Sequence, residues 1–334
     1  MKSRIILLII LFFMVVTGYT QPGSRIADSL ARLLAATRQE DSVKVKLLLA
    51  YSRCFLSVKP DTALIISKQA VNISQRINFR YGVMRGMNSM AICYWYKNNP
   101  RMAIPTFRKA LAIAVKDKNA DLESMISGNL GVYYGILGVS DSAEKYHKMA
   151  ISTGKTLPDK NLYAKALGHL GMVYSKKGSY IESIQSILDA IEIFKANQSS
   201  LDMANAYNVL GMIYYDLEDF EHAVSAYRLA LKIIGPDGDV QLQMAVFQNL
   251  GNLYFNIKKD TDSALIFTTR ELNLAQETNN EYPRLSALVT LGNIAFDEKD
   301  YEQALKIYTD VLKSPLIQYR NQAHAIILGN LGLV

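Results

Sequence analysis

The stretch Asn129-Leu130-Gly131-Val132-Tyr133-Tyr134 returns, with changes, along most of the chain. Its Leu-Gly pair stands at 130-131, 170-171, 210-211, 250-251, 291-292 and 331-332, in steps of 40, 40, 40, 41 and 40 residues. Counting back by 40 reaches Met90-Ala91 and then Ala50-Tyr51, where the glycine is lost but the surrounding pattern persists. A fixed period of this size marks a stacked repeat, because one such unit cannot bury its apolar face alone. The usual division of 334 residues into compact domains therefore does not apply.

Within each period the small and large residues keep fixed places. Four residues after the Leu comes Tyr94, Tyr134, Tyr174, Tyr214 or Tyr254, with Cys54 and Ala295 as departures. Residues four apart share one helical face. Thirteen residues after the Leu comes Ala63, Ala103, Ala143, Ser183, Ala223 or Ala304, with Ala264 displaced by one in the 41-residue step. Seven further on stand Ala70, Ala110, Ala150, Ala190 and Ala230, and an aromatic lies between the two at Phe107, Tyr227 and Tyr308. Small residues seven apart let a second helix lie close to the first. Breaks at Asn98-Asn99-Pro100, Lys177-Gly178-Ser179, Glu218-Asp219 and Lys299-Asp300 separate the two helices of a pair. Breaks at Leu157-Pro158-Asp159, Gly235-Pro236-Asp237-Gly238 and Thr278-Asn279-Asn280 join one pair to the next. No strand-period stretch competes, so the reading is all-α.

These offsets resemble the tetratricopeptide repeat family over roughly residues 41–334, with a 40-residue unit where the common one has 34. Ala110-Leu111-Ala112-Ile113-Ala114 leading to Asn129-Leu130-Gly131 is similar to the long-period subfamily. The resemblance implies a right-handed α-solenoid of antiparallel helix pairs, a tetratricopeptide-like superhelix whose first helices line the concave side. The expected organisation is a signal peptide at 1–20, a helical lead-in at 21–40, about seven repeats over 41–319, and at 320–334 the first helix of an eighth, incomplete repeat.

The leader rests on Lys2 and Arg4, the apolar run Ile5 to Val16, and the small Gly18 and Thr20 before Gln21. Twelve apolar residues span only about 18 Å as a helix, short of the ~30 Å hydrocarbon core. An exported, periplasmic or secreted chain without a further transmembrane segment is the expectation. No cysteine follows the run, so a lipid anchor has no attachment point. Removing the leader lowers the formal charge of +7 by two, and the remaining basic residues are scattered among acids in every repeat. Nucleic acid is not the expected partner.

Catalytic chemistry finds no footing here. His147, His169, His222 and His324 are too far apart for metal-ligand spacing, and there is no phosphate loop or nucleophile elbow. No metal, cofactor, catalytic residue or small-molecule substrate is expected. His169 precedes Leu170 in a slot held by Asn129, Val209 and Asn249 elsewhere and reads as a solvated position. Cys54 and Cys93 occupy slots one residue out of register, about 100° apart around a helix, which favours two buried thiols over a disulfide.

Binding is the remaining class, with a protein or peptide as partner. Offsets −5, −2, +2 and +5 from the Leu make one stripe on the first helices. In the fifth to seventh repeats it offers Asn205, Asn208, Tyr215, Gln248, Asn252, Phe255, Asn293 and Phe296. Amides there suit a peptide backbone and rings suit its side chains, although amides are also ordinary filler in such repeats. The third and fourth repeats differ, with Met125, Gly128, Val132, Gly135 and Lys165, Gly168, Met172, Ser175. The family's carboxylate clamp, Lys with Asn, is not matched. The expected function is a non-catalytic scaffold outside the cytoplasm, the sensory part of a longer membrane-bound regulator of histidine kinase or helix-turn-helix type. A stand-alone cell-envelope assembly scaffold is the alternative, and an enzyme with a catalytic domain beyond Val334 comes third.

Overall fold

A computed structural model describes residues 25–314 together with positions 329 and 332. The leader at 1–20 falls outside them, as does the eighth helix at 320–334 apart from those two glycines. The described residues contain fifteen α-helices and no strand, in two compact units divided after Lys177. The first unit holds α1 (Arg25–Ala36), α2 (Ser42–Arg53), α3 (Pro60–Arg76), α4 (Arg80–Tyr96), α5 (Pro100–Lys116), α6 (Ala120–Ile136), α7 (Ser140–Gly154) and α8 (Asn161–Lys176). The second holds α9 (Tyr180–Ala196), α10 (Ser200–Asp216), α11 (Phe220–Ile234), α12 (Val240–Leu253), α13 (Thr261–Glu277), α14 (Glu281–Asp297) and α15 (Tyr301–Leu312). Within each unit, sequence neighbours pack on one another and next-but-one first helices also touch, as α4 with α6 and α12 with α14 do. That is the contact pattern of a solenoid.

The pairing of helices follows from the periodic residues. Ala63, Ala103, Ala143, Ser183, Ala223, Ala264 and Ala304 are all fully buried. The second small set, Ala70, Ala110, Ala150, Ala190 and Ala230, is buried equally deeply. Between them a large side chain of the second helix lies on the Leu-Gly glycine of the first. A Cβ on Gly131 would stand 2.5 Å from His147 Cε1, and one on Gly211 would stand 2.5 Å from Tyr227 Cε1. On Gly292 it would meet Tyr308 Cε1 at 2.6 Å. The glycine is thus a packing residue in mid-helix, its propensity cost of about 1 kcal/mol offset by the ring it admits.

The turns are equally regular. Asn98 (φ 52°), Lys118 (φ 53°), Glu218 (φ 59°), Lys259 (φ 60°) and Lys299 (φ 66°) take the left-handed conformation at helix C-termini. Asn98 N–H donates to Trp95 O at 2.8 Å and Asn99 N–H to Tyr94 O at 2.9 Å, the paired bonds of a Schellman motif. The next residue then caps the following helix. Asn99 accepts from Met102 N–H at 3.2 Å, Asn119 from Leu122 N–H at 3.0 Å, and Asp300 from Gln303 N–H at 3.0 Å. One residue ends a helix and its neighbour starts another, so the antiparallel connection needs almost no loop.

The 41-residue step is absorbed at one place. Tyr254–Lys258 forms a π turn that closes with Asp260 N–H on Tyr254 O at 3.1 Å. A π turn holds one extra residue in a helix. Downstream, Ala264 and Thr268 consequently reach the slots that small residue and ring take elsewhere, and a Cβ on Gly251 would meet Thr268 Oγ1 at 2.6 Å. Glu271, seven residues after Ala264, enters the slot that five other repeats give to alanine.

Burial pushes the Glu271 carboxyl from 4.5 up to about 9. The folded chain keeps this proton at pH values where the unfolded chain has lost it. Its stabilising contribution is full below pH 4.5 and is lost as pH rises toward 9. Glu271→Gln should therefore melt above the parent by a margin that grows with pH, reaching on the order of a few kcal/mol near pH 9 and closing near 4.5. Thermal melts across that range check this; parallel pH profiles for both proteins would contradict it. Burial has the opposite consequence for His147, whose pKa is pushed well below 6.5, so that stability from its neutral ring is lost as pH falls below that value.

Candidate functional site

Four successive first helices of the first unit, α2, α4, α6 and α8, build one wall around a cavity of about 300 Å³. The offset five before each Leu supplies Arg85, Met125 and Lys165, and the offset one before supplies Leu49, Ser89, Asn129 and His169. Arg53, Asn88, Ile92 and Leu162 extend the lining. A helix period of 3.6 puts offsets −5 and −1 on one face, which is why a single stripe of sequence becomes a continuous surface.

One lining position carries no side chain. Gly128 takes the offset two before Leu130, and a Cβ there would meet only Ala150 Cβ, at 3.9 Å. In the second unit Asn208 and Gln248 fill the same offset.

The polar lining is tied together across repeats. Asn129 Nδ2 donates to Asn88 Oδ1 at 2.9 Å, and Arg85 Nη1 reaches Met125 Sδ at 2.7 Å. Ser89 belongs to a buried hydroxyl cluster in which Ser67 lies 2.8 Å from both Ser52 and Ser89. Cys93 sits by this cluster, and burial pushes its thiol up to about 12. Both cysteines are buried and free. His169 corrects the reading of a solvated position: it is 8% exposed, its ring centroid lies 5.3 Å from that of His147, and burial followed by the Lys165 charge lowers its pKa to about 4. The slot before the Leu faces the preceding repeat rather than solvent.

The amides and rings picked out in the second unit are partly spoken for. Asn208 is only 3% exposed and accepts from Asn249 Nδ2 at 2.9 Å, the same bond that joins Asn88 to Asn129. Gln248 donates to Ser286 Oγ. Asn293 Oδ1 accepts from Tyr308 O–H at 2.6 Å, and Asn205 bonds back to Leu201 O at 3.0 Å. Phe296 meets Tyr301 edge-on, with ring centroids 5.4 Å apart. Tyr215, Asn252 and Phe255 are half-buried, Phe255 within the π turn. The stripe is therefore less open than its offsets imply, since offset −2 is closed by the next repeat. Arg85 and Arg53 were missed as site residues. The cations of that wall stand at offset −5, Arg85 and Lys165, and at offset +3, Arg53.

Among the described residues no group of three or more His, Cys, Asp or Glu is placed to hold a metal, and no helix is long and apolar enough to cross a membrane. Stacked helix pairs that present their first helices as a wall define a repeat solenoid. Family models described as tetratricopeptide repeat match residues 162–235 and 285–315. Those two segments therefore carry tetratricopeptide repeats, and the described helix pairs share that architecture. Similar solved structures include a Rap protein complexed with competence and sporulation factor, at 15% identity and TM-score 0.62, covering 86% of this chain and 80% of that one. Yeast Tom70 is similar at 16% identity and TM-score 0.62 over 91% of this chain and 57% of its own. A signal transduction ATPase with a tetratricopeptide repeat sensor from Pyrococcus horikoshii is similar at 17% identity and TM-score 0.56, covering 87% of this chain and 46% of that one. At these identities the likeness is one of fold.

The amide bridges have a measurable role. Asn129→Ala should strand the buried Asn88 carbonyl and cost about 1–3 kcal/mol, as Asn249→Ala should for Asn208. Urea melts followed by hydrogen exchange of α4 and α10 report it; no loss in either variant would show that the bridges hold nothing.

Proposed function

We propose that the chain is a non-catalytic scaffold that binds a protein or peptide outside the cytoplasm, serving as the sensory part of a longer membrane-bound regulator. The observation that carries this reading is the wall of first helices with its cavity. It presents apolar and hydrogen-bonding groups side by side, as peptide recognition requires. The leader pattern at residues 1–20 supports export. The Pyrococcus protein's repeats, described as a sensor, support the regulatory part of the reading. In the second unit Asn205, Tyr215, Gln248, Asn252, Phe255, Asn293 and Phe296 form the proposed second contact surface, with Asn252 and Phe255 its most available members and the buried Asn208 behind them.

A photo-crosslinking amino acid placed singly at Met125, at Phe255, and at Ile65, an exposed position on the second helix α3, tests the reading in the native host. Crosslinks to a protein or peptide from Met125 or Phe255, and none from Ile65, are expected. Crosslinks from Ile65 alone would put the binding surface on the second helices and overturn the assignment. In the same preparation the mature chain should begin at Gln21. A cytoplasmic chain that keeps Met1 would remove the extracytoplasmic part of the proposal.

A further inference from the structure

The cavity in the first unit is polar in one sense only. Arg53, Arg85 and Lys165 line it, and no Asp or Glu does. The two arginines contrast with other exposed cations of the unit, which meet acids one repeat away: Arg76 with Glu40 at 2.7 Å, Arg80 with Asp117 at 2.6 Å, Lys177 with Asp141 at 2.8 Å. Among the described residues neither Arg53 nor Arg85 meets a carboxylate. Arg85 turns instead to a thioether, Met125 Sδ, which cannot neutralise its charge. Uncompensated guanidinium groups beside a partly enclosed, apolar-lined cavity raise the local potential and favour an anion.

The rest of the lining limits the kind of anion. Leu49, Leu56, Ile92 and Leu162 are apolar, and a bare phosphate would leave them in water. About 300 Å³ lies at the small end of ligand cavities and admits a few side chains rather than a folded domain. Resting on the peptide-binding reading above, we infer that this wall takes an extended peptide segment in which an Asp or Glu side chain, flanked by apolar residues, meets Arg85 and Lys165. The apolar neighbours then cover Ile92 and Leu162, and the Asn88–Asn129 amide bridge borders the path of the backbone. The serine cluster behind Ser89 holds the floor rigid. Gly128 is the residue that keeps the space open.

The test is selection of acetylated, amidated hexapeptides from a randomised library by the full chain, followed by fluorescence polarisation of the enriched sequences. Enrichment of Asp or Glu next to Leu, Ile, Val or Phe is expected. Replacing that acid by its amide should weaken binding by roughly tenfold, the loss of one charge-assisted contact. Arg85→Gln and Lys165→Gln should each weaken the acidic peptide by a similar factor without weakening its amide counterpart. Salt at about 1 M, where the Debye length is about 3 Å, should shrink the difference. Gly128→Leu should abolish binding of both peptides, and Gly128→Ala, which has room for its methyl, controls for folding. Freeing the peptide C-terminus should not substitute for the side-chain acid; if it does, the site takes a terminal carboxylate and the inference is wrong. Enriched peptides without acids that are lost in Gly128→Leu would overturn the acidic preference and leave the peptide-binding reading standing. Failure to enrich any peptide would overturn both.

Discussion

The structure depends on one close approach, in which a buried side chain of the second helix lies against the backbone of the first, left bare by glycine at Gly131, Gly211, Gly251 and Gly292. Rings at His147, Tyr227 and Tyr308 sit within 2.6 Å of the place a Cβ would take. That contact sets how near the two helices come, and the buried alanines on either side of the ring allow it. Once the separation is fixed, so are the short turns, because a Schellman bond pair and an N-cap on adjacent residues reverse the chain within that distance. Within each unit the first helices are then carried into one row, and in the first unit the wall follows. In the second repeat Ala91 replaces the glycine and Phe107 is still fully buried, so the approach tolerates a methyl where the pair can adjust.

Polar groups inside the stack serve the same end. The Asn88–Asn129 and Asn208–Asn249 bridges join successive first helices at a spacing of 41 residues, and the Ser52, Ser67 and Ser89 hydroxyls satisfy one another where α2, α3 and α4 meet. Cys93, held fully protonated beside them, contributes volume rather than reactivity. A low-dielectric interior makes a satisfied network rigid and an unsatisfied one costly. The wall is thus a surface whose backing cannot easily relax, and a fixed geometry lowers the entropy cost of binding.

Most of the fold could be read from the sequence because its determinants are strictly periodic. The Leu-Gly pair, the small residues at thirteen and twenty, and the paired turn residues each recur, so chance substitutions at one repeat are corrected by the others. The displacement of Ala264 marked the extra residue, though only the structure shows it stored as a π turn at Tyr254–Lys258. The candidate site was less legible. Amides at offset −2 looked available, but whether Asn208 faces solvent depends on the next repeat's Asn249, a tertiary fact. The first-unit wall was harder to see because Gly128 offers no side chain at the offset where Asn88, Asn208 and Gln248 carry amides, and because the likeness of His169 to a solvated slot concealed its burial. Glu271 in an alanine slot was visible by position, yet its neutral state follows only from burial.

The most direct test of the account is a double-mutant cycle between Gly211 and Tyr227, read by chemical denaturation and by hydrogen exchange of α10 and α11. If the ring requires the bare backbone, Gly211→Ala should cost about 1–3 kcal/mol in the parent, as overpacking does. With Tyr227→Ala already in place, the same change should be neutral or stabilising by up to ~1 kcal/mol, because alanine is the better helix former. A coupling of at least 1 kcal/mol is the predicted result. Equal stabilisation by Gly211→Ala in both backgrounds would show that the glycine is not there for the ring, and would contradict the account.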